Sequence, residues 1–360
     1  MRDNKNINKR DTFKRGIIKV TANLCRIVLG LTFIFSGYVK AIDPLGTVYK
    51  INDYLAALNL AGVFPDQVIL IVAIALSTFE FSLGIFMLFA IRRRLVSKLT
   101  LLFMIVMTVI SLWLAIFNPV KDCGCFGDAI ILTNKETLIK NIILSVCAVI
   151  VWLKPMKMIR FINKPRQWLA INYTILFILI STIWSLWNLP QFDFRPYHIG
   201  ANIKKGMEIP KGAKQPVFNT TFIMEKDGQR KEFDINNYPD STWKFIDSKT
   251  EVVDNGYVPP IHDFSIEDRK TGKDLTKEIL ANKGYTFLLI SPFLEIADDS
   301  DFGDIDKIYE YAQNNGYAFY CLTASNDAGI SKWQDITGAE YPFYITDEVT
   351  LKTIIRSNPG

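Results

Sequence analysis

Five long apolar segments constrain this chain more than any other feature of its sequence. A helix needs ~20 mostly apolar residues to cross the hydrocarbon core of a bilayer. Stretches of that character lie at about 16–39, 68–91, 95–117, 138–153 and 168–187. The fourth is shorter than the others, and the first opens on a polar half containing Lys19 and Arg26. No small-residue cleavage site follows the first segment, so it reads as a retained helix and not as a signal peptide. The alternative, a soluble protein with buried helices, fits poorly with five such stretches separated by alternately basic loops. Trp113, Trp152, Trp168, Trp184 and Trp187 fall near segment ends, where interfacial aromatics belong.

Orientation follows from where Lys and Arg sit. The N-terminal tail carries Arg2, Lys5, Lys9, Arg10, Lys14 and Arg15. The second connection carries Arg92, Arg93, Arg94 and Lys98, and the fourth carries Lys154, Lys157, Arg160, Lys164 and Arg166. The intervening connections hold only Lys40 and Lys50, and then Lys121 and Lys135. The positive-inside rule therefore predicts a multi-pass protein of the inner (cytoplasmic) membrane, with a cytoplasmic N-terminus and an extracytoplasmic (periplasmic) tail after Trp187. The net charge of +5 is explained by these flanks, so the partner it indicates is the lipid bilayer and not nucleic acid.

After Pro190 the composition turns polar. VFNTTFIMEK and QRKEF, separated by Asp227-Gly228, predict a β-hairpin over 217–233. An α/β alternation follows Pro260: strands at 285–291, 317–323 and 342–345, and helices near 304–314, 327–336 and 348–356. The expected fold is an α-helical transmembrane bundle of about five spans joined to an extracytoplasmic α/β domain. Segments are expected at 1–15, 16–154, 155–190, 191–259 and 260–360. The sequence stops at Asn358-Pro359-Gly360 with no strand to fill the sheet edge, so the native protein is expected to continue.

The segment richest in chemistry is KDCGCFGD, with Cys123 and Cys125 one residue apart. Such a pair closes a small, strained ring when oxidised, and strained disulfides exchange readily. Gly124 and Gly127 allow unusual backbone angles and leave room for an incoming thiol. Asp122 and Asp128 act against this, because nearby negative charge raises a thiol's pKa. Redox exchange is the leading reading; a pair of structural thiols and a partial metal site remain open. Two ligands alone make no zinc site, and His198 and His262 are distant in sequence. Cys25, Cys147 and Cys321 read as packing residues. Glu80 lies inside the second span, where an ionisable group is expensive. It reads either as a proton acceptor near a quinone or the cysteine loop, or as a helix-packing hydrogen bond. Lys40, near Asp43, is expected to snorkel from the end of the first span.

RIVLGLTFIFSGYVKAIDPLG at 26–46, Glu80 and CGCFG at 123–127 together resemble the DoxX/MauE-type membrane family across the first four spans. Ser36, Gly37, Lys40, Asp43 and Pro44 carry the SGxxKxxDP part of that resemblance. It implies thiol or thiosulfate redox chemistry, linked in MauE-like members to disulfide handling of exported enzymes, with Cys123 and Cys125 as the redox pair. The last hundred residues resemble a membrane-tethered, TlpA-like thioredoxin domain. PPIHDFSIEDRKTGKDLTKEIL is the lead-in, and YTFLLISP is the strand before the usual active site. The chain departs from that pattern, because PFLEIADDSDFGD contains no cysteine. Pro359 is the better match to the family's active-site proline, and Pro342 the weaker.

Two functions compete. One is a thiol-disulfide redox component of the membrane. It would exchange with a periplasmic thiol protein or exported client, pass electrons to or from quinone, and could count as an enzyme. The other is an anchor whose non-catalytic domain docks an exported client or complex subunit. Solute transport fits less well, for want of inverted repeats or broken helices.

Overall fold

The computed structural model describes residues 2–120, 122–214, 217–226, 229–234, 244–254, 256–300 and 302–356. Lys121, Asp227-Gly228 and Pro359 therefore lie outside the described residues. The chain divides into two units, Met1–Arg195 with Ile355–Gly360, and Pro196–Ile354.

The first unit is helical: α1 (Arg2–Ile42), α2 (Pro44–Ala57), α3 (Asp66–Leu88), α4 (Arg93–Phe117), α5 (Asn134–Leu153) and α6 (Gln167–Trp187). Among the described residues, five stretches are long and apolar enough to cross a membrane: Arg15–Ile42, Asp66–Leu88, Arg93–Phe117, Asn134–Leu153 and Lys164–Trp187. The fourth starts earlier than its apolar run because Thr133 and Glu136 form a reciprocal capping box. That box adds a polar first turn to a segment whose apolar part alone looks short.

Helix α2 was not foreseen in the sequence. Its 14 residues are too few to span a bilayer. It starts at Pro44, where the Asp43 carboxylate accepts from the Gly46 N–H at 3.0 Å. Val48, Ile51 and Leu55 then pack against Ile69, Leu70 and Ala73 of α3.

Helices α1 and α3 approach most closely. A Cβ on Gly37 would sit 2.4 Å from the Phe81 backbone nitrogen, and one on Gly84 would sit 2.6 Å from that of Ile34. Small residues at such crossings let two backbones meet, as transmembrane packing favours. Leu29, Phe33, Leu83, Met87, Met104, Leu144 and Ala148 fill the bundle core. Outward, α4, α5 and α6 expose Val109, Ile116, Ile139, Ile143, Phe177 and Ile180. A water-facing surface rarely carries so continuous an apolar belt, whereas lipid tails cover it without penalty.

The connection between α5 and α6 is held to the bundle by side-chain donors. Asn23 donates to the Lys157 carbonyl at 3.2 Å, and Arg93 to the Met158 carbonyl at 2.6 Å. Arg26 donates to the Ile159 carbonyl. Non-helical backbone beside a bilayer needs such partners.

The second unit contains α7 (Ile203–Met207), β1 (Val217–Lys226), β2 (Gln229–Asp234) and β3 (Lys244–Asp254). It continues with β4 (Glu267–Asp268), α8 (Thr276–Ile279), β5 (Thr286–Ile290), α9 (Phe302–Asn314), β6 (Ala318–Thr323), α10 (Asp327–Thr337), β7 (Phe343–Ile345) and α11 (Glu348–Ile355). Strands β1 and β2 pair antiparallel, and β3 adds antiparallel on the other side of β1. The second sheet runs β4-β7-β6-β5; β5, β6 and β7 are parallel and β4 is antiparallel.

This small mixed sheet is buried on both faces. Phe287, Leu289, Phe319, Cys321 and Phe343 pack with Ala312, Ile330 and Trp333 on one side. Leu288, Ile290, Tyr320, Leu322 and Tyr344 pack with Phe264, Ile266, Ile279 and Leu351 on the other. Strict alternation of faces explains why these strands read as unbroken apolar runs. Asn326 caps α10 through its side chain, and Gly338 ends it in the left-handed region.

Candidate functional site

The connection between α4 and α5 carries the two cysteines and folds back against α1. Cys123 and Cys125 place their sulfurs 2.9 Å apart. Gly124, between them, has φ +64, a left-handed angle that favours glycine. Its N–H donates to the Asp122 carboxylate at 2.8 Å, closing a tight local turn. Asp122 is itself paired with Lys50 of α2 at 3.2 Å. The carboxylate read in the sequence as unhelpful to a thiolate is thus matched by a cation and holds the turn.

Beneath this turn lies a chain of buried polar contacts. The Ser36 hydroxyl donates to the Cys125 carbonyl at 2.5 Å. The Lys40 ammonium donates to the Ser36 hydroxyl at 2.9 Å and to the Glu80 carboxylate at 2.7 Å. Lys40 is 7% exposed and Glu80 5%. Snorkelling is therefore the wrong account of Lys40. Helix α1 extends to Ile42, and the Lys40 side chain turns inward to a carboxylate on α3, 40 positions away in sequence. In a low-dielectric interior each of these charges would be costly alone, and each is compensated by the other. The motif residues Ser36, Gly37 and Lys40 thus act together. Gly37 brings α1 against α3, which lets Lys40 reach Glu80, and Ser36 links the pair to the loop.

On the other side of the turn, the Tyr54 hydroxyl of α2 donates to the Cys123 carbonyl at 2.5 Å. Lys140 of α5 lies 4.3 Å from the Phe126 ring centroid, and Phe126 packs against Phe35 at 5.5 Å. Both cysteines are buried, with Leu114 alongside and Tyr54, Met107, Ile110 and Trp113 around them.

The two thiols are electrostatically unequal. The hydrogen bond between the sulfurs favours charge on Cys125, and Lys140 and Lys40 add to that effect. Burial and Glu80 oppose it, yet the Cys125 thiol is held below the ordinary thiol range. The same sulfur contact, together with burial, pushes the Cys123 thiol up. Burial raises the Tyr54 hydroxyl, which stays a donor at all ordinary pH values.

The structure thus brings together Glu80, Cys123 and Cys125, and adds Ser36, Lys40, Lys50, Tyr54 and Lys140. Tyr54 and Lys140 carry no motif and went unnoticed in the sequence, where Lys50 figured only as a loop cation. Ser36 appeared there only as part of a family resemblance, and Lys40 as a snorkelling residue and loop cation. The other cysteines lie elsewhere: Cys25 and Cys147 belong to the bundle core. Cys321 is fully buried in β6, where burial pushes its thiol up to about 12. At the end of β5, where a thioredoxin would place its nucleophiles, Glu295 accepts from the Ser325 hydroxyl at 2.6 Å and Ile296 is 82% exposed.

Five bilayer-length helices and a paired-thiol loop seated on a buried ion pair define a multi-pass membrane protein. Residues 18–154 match the family described as "Methylamine utilisation protein MauE", so a MauE family domain occupies this membrane-helical region. Residues 218–255 match a domain of unknown function, DUF8463. The search of curated proteins gave no match, and neither did the search of solved structures.

Proposed function

We propose that this protein is a membrane component of thiol-disulfide exchange for exported proteins, with Cys123 and Cys125 as the exchanging pair. The observation that carries the reading is the 2.9 Å approach of the two sulfurs in a turn tied to a buried Lys40–Glu80 pair. Inert thiols need no such seat. The MauE match over residues 18–154 supports the same reading. The thiol or thiosulfate chemistry implied by the DoxX side of the resemblance falls within it.

In the oxidising direction, a client thiolate attacks the Cys123 sulfur of the disulfide. The S–S bond breaks, a mixed disulfide forms at Cys123, and Cys125 leaves as a thiolate. The client's second thiolate attacks its own sulfur in the mixed disulfide and releases Cys123. The client dithiol loses two electrons and two protons; the pair gains both electrons, and protons follow as pH dictates. A bilayer quinone, if one binds, would supply the onward electron acceptor; no residue is assigned to it. Glu80 takes part as a proton acceptor only through Lys40 and Ser36, which stand between it and the loop.

The loop faces the extracytoplasmic side in this reading. The basic connections at 92–98 and 154–166 are then cytoplasmic. The α/β unit is a thioredoxin-like docking module without the Cys-x-x-Cys pair after β5. A second reading makes docking the whole function. It is motivated by the carboxylate-rich, cysteine-free segment at 295–306.

Trapping separates the two. Full-length Cys125→Ser protein keeps Cys123 but lacks its resolving partner. It is expected to accumulate mixed disulfides with exported proteins, visible on non-reducing gels and absent from the Cys123→Ser/Cys125→Ser variant. Equal gel patterns for the two variants leave docking as the function.

A further inference from the structure

The buried ion pair does not touch the sulfurs directly, yet it is coupled to one side of the dithiol more than the other. Lys40 reaches the loop through Ser36, whose hydroxyl holds the carbonyl of Cys125 and not that of Cys123. Cys123 is held from the opposite side by neutral Tyr54. Lys140 on α5 and Lys40 on α1 both favour charge on Cys125, and Lys140 acts on Cys123 as well. The other charged group acting on Cys125 is Glu80 on α3. On α2, Lys50 pairs with Asp122 beside Cys123. The arrangement is unequal: Lys40 interacts more strongly with Cys125 than with Cys123, and the Glu80 carboxylate opposes its effect on Cys125.

We propose that Lys40 is a positioning residue that fixes Cys125 as the thiolate-bearing member of the pair, with Glu80 setting how much of the ammonium's charge the sulfur feels. This rests on the redox reading and deepens it. It assigns an order to the cysteines: Cys125 is the leaving thiolate when a client is oxidised and, on the reverse path, the thiolate that attacks the Cys123 sulfur of the mixed disulfide when one is reduced. Cys123 carries the mixed disulfide in the oxidising direction. Glu80 has a second consequence. When the loop is oxidised, the ammonium has a full counter-charge; when Cys125 becomes a thiolate, Lys40 stands between two anions and stabilises both.

The test uses full-length protein in detergent or nanodiscs, fully reduced, with each cysteine's alkylation rate followed against pH by mass spectrometry. Nothing in it requires redox turnover, so it can fail while the exchange reading stands. Equally, absent turnover in cells leaves its outcome intact. In the parent protein, Cys125 is expected to reach half-maximal reactivity at lower pH than Cys123. Lys40→Met is expected to move the Cys125 midpoint upward by about one pH unit and so lower its rate about tenfold at pH values below the parent's midpoint. Lys40→Arg is expected to restore most of the rate. Glu80→Gln, which still accepts a hydrogen bond from Lys40, is expected to move the midpoint downward. Opposite signs for Lys40→Met and Glu80→Gln distinguish charge placement from general loosening, which would move both alike. Ser36→Ala retains both charges and is expected to raise the Cys125 midpoint by less than Lys40→Met does. A Cys125 midpoint unchanged in folded Lys40→Met protein, shifts of the same sign in both charge variants, or a lower midpoint for Cys123 than for Cys125 would each overturn the assignment.

Discussion

Lys40 and Glu80 illustrate how a buried charge pair behaves once its partners are in place. Two ions taken from water into a helix bundle are tolerable only as a matched unit, and removing one leaves the other uncompensated. Glu80→Ala is therefore expected to lower the melting stability of the detergent-solubilised protein by about 3–5 kcal/mol. The Lys40→Met/Glu80→Leu double variant is expected to recover most of that loss while losing the low Cys125 midpoint. A double variant no more stable than the single one would show that the pair stabilises the bundle in some way beyond charge matching. The pH dependence of the thiols has a definite sign. A thiol whose folded value lies below the ordinary range, about 8.5, stays ionised as pH drops through that range. Its reactivity disappears only as pH falls through the lowered value, so exchange at Cys125 is expected to be flat around neutrality and to fail in acid. Glu80 and the cysteine pair were legible in the sequence, because a carboxylate in an apolar run and two near-adjacent thiols are locally conspicuous. The burial of Lys40 was not. Its position near a span end fits snorkelling equally well, and only a carboxylate on another helix decides the matter.

Elements explain how the site is held. Gly37 allows α1 to lie against α3, and a side chain there must push the two backbones apart. Gly37→Val is expected to destabilise the bundle by about 1–3 kcal/mol or more, as overpacking does. It should also loosen the Lys40–Glu80 contact, detectable as faster alkylation of Cys123 and Cys125 in the reduced protein; unchanged stability and labelling would place the α1–α3 crossing elsewhere. At the start of α5, the Thr133 cap is expected to contribute about 1 kcal/mol, read as a lowered melting point for Thr133→Ala. The five spans and the strands and helices after residue 285 were readable because apolar length and apolar-strand alternation are strong local signals. Helix α2 and strand β3 were missed for different reasons. The α2 segment is too short and too mixed to stand out, and its apolar stripe acquires meaning only against α3. The β3 segment KFIDSKTEVVD is rich in charge, and its pairing with β1 makes it a strand.

At the scale of the whole molecule, a membrane-helical region containing the cysteine pair is followed in the chain by an α/β unit. Charge bias orients the bundle, and reporter fusions test that directly. A fusion after Gly127 is expected to read as extracytoplasmic and one after Lys157 as cytoplasmic; reversal of both would place the thiols on the other side and exclude exported clients. The α/β alternation after residue 260 was readable from apolar strand runs between helices, and the structure has there a small mixed sheet of order β4-β7-β6-β5.

The central claim is that Cys123 and Cys125 cycle between disulfide and dithiol in the living cell. The direct measurement is acid quenching of cells, followed by denaturation and mass-tag alkylation of full-length protein before and after reduction. The account predicts a population in which both cysteines take the tag only after reduction, and predicts that this population grows when an oxidant is added to the medium and shrinks with a reductant. Complete tagging of both cysteines without reduction, under every condition, would show that they never pair and would contradict the account.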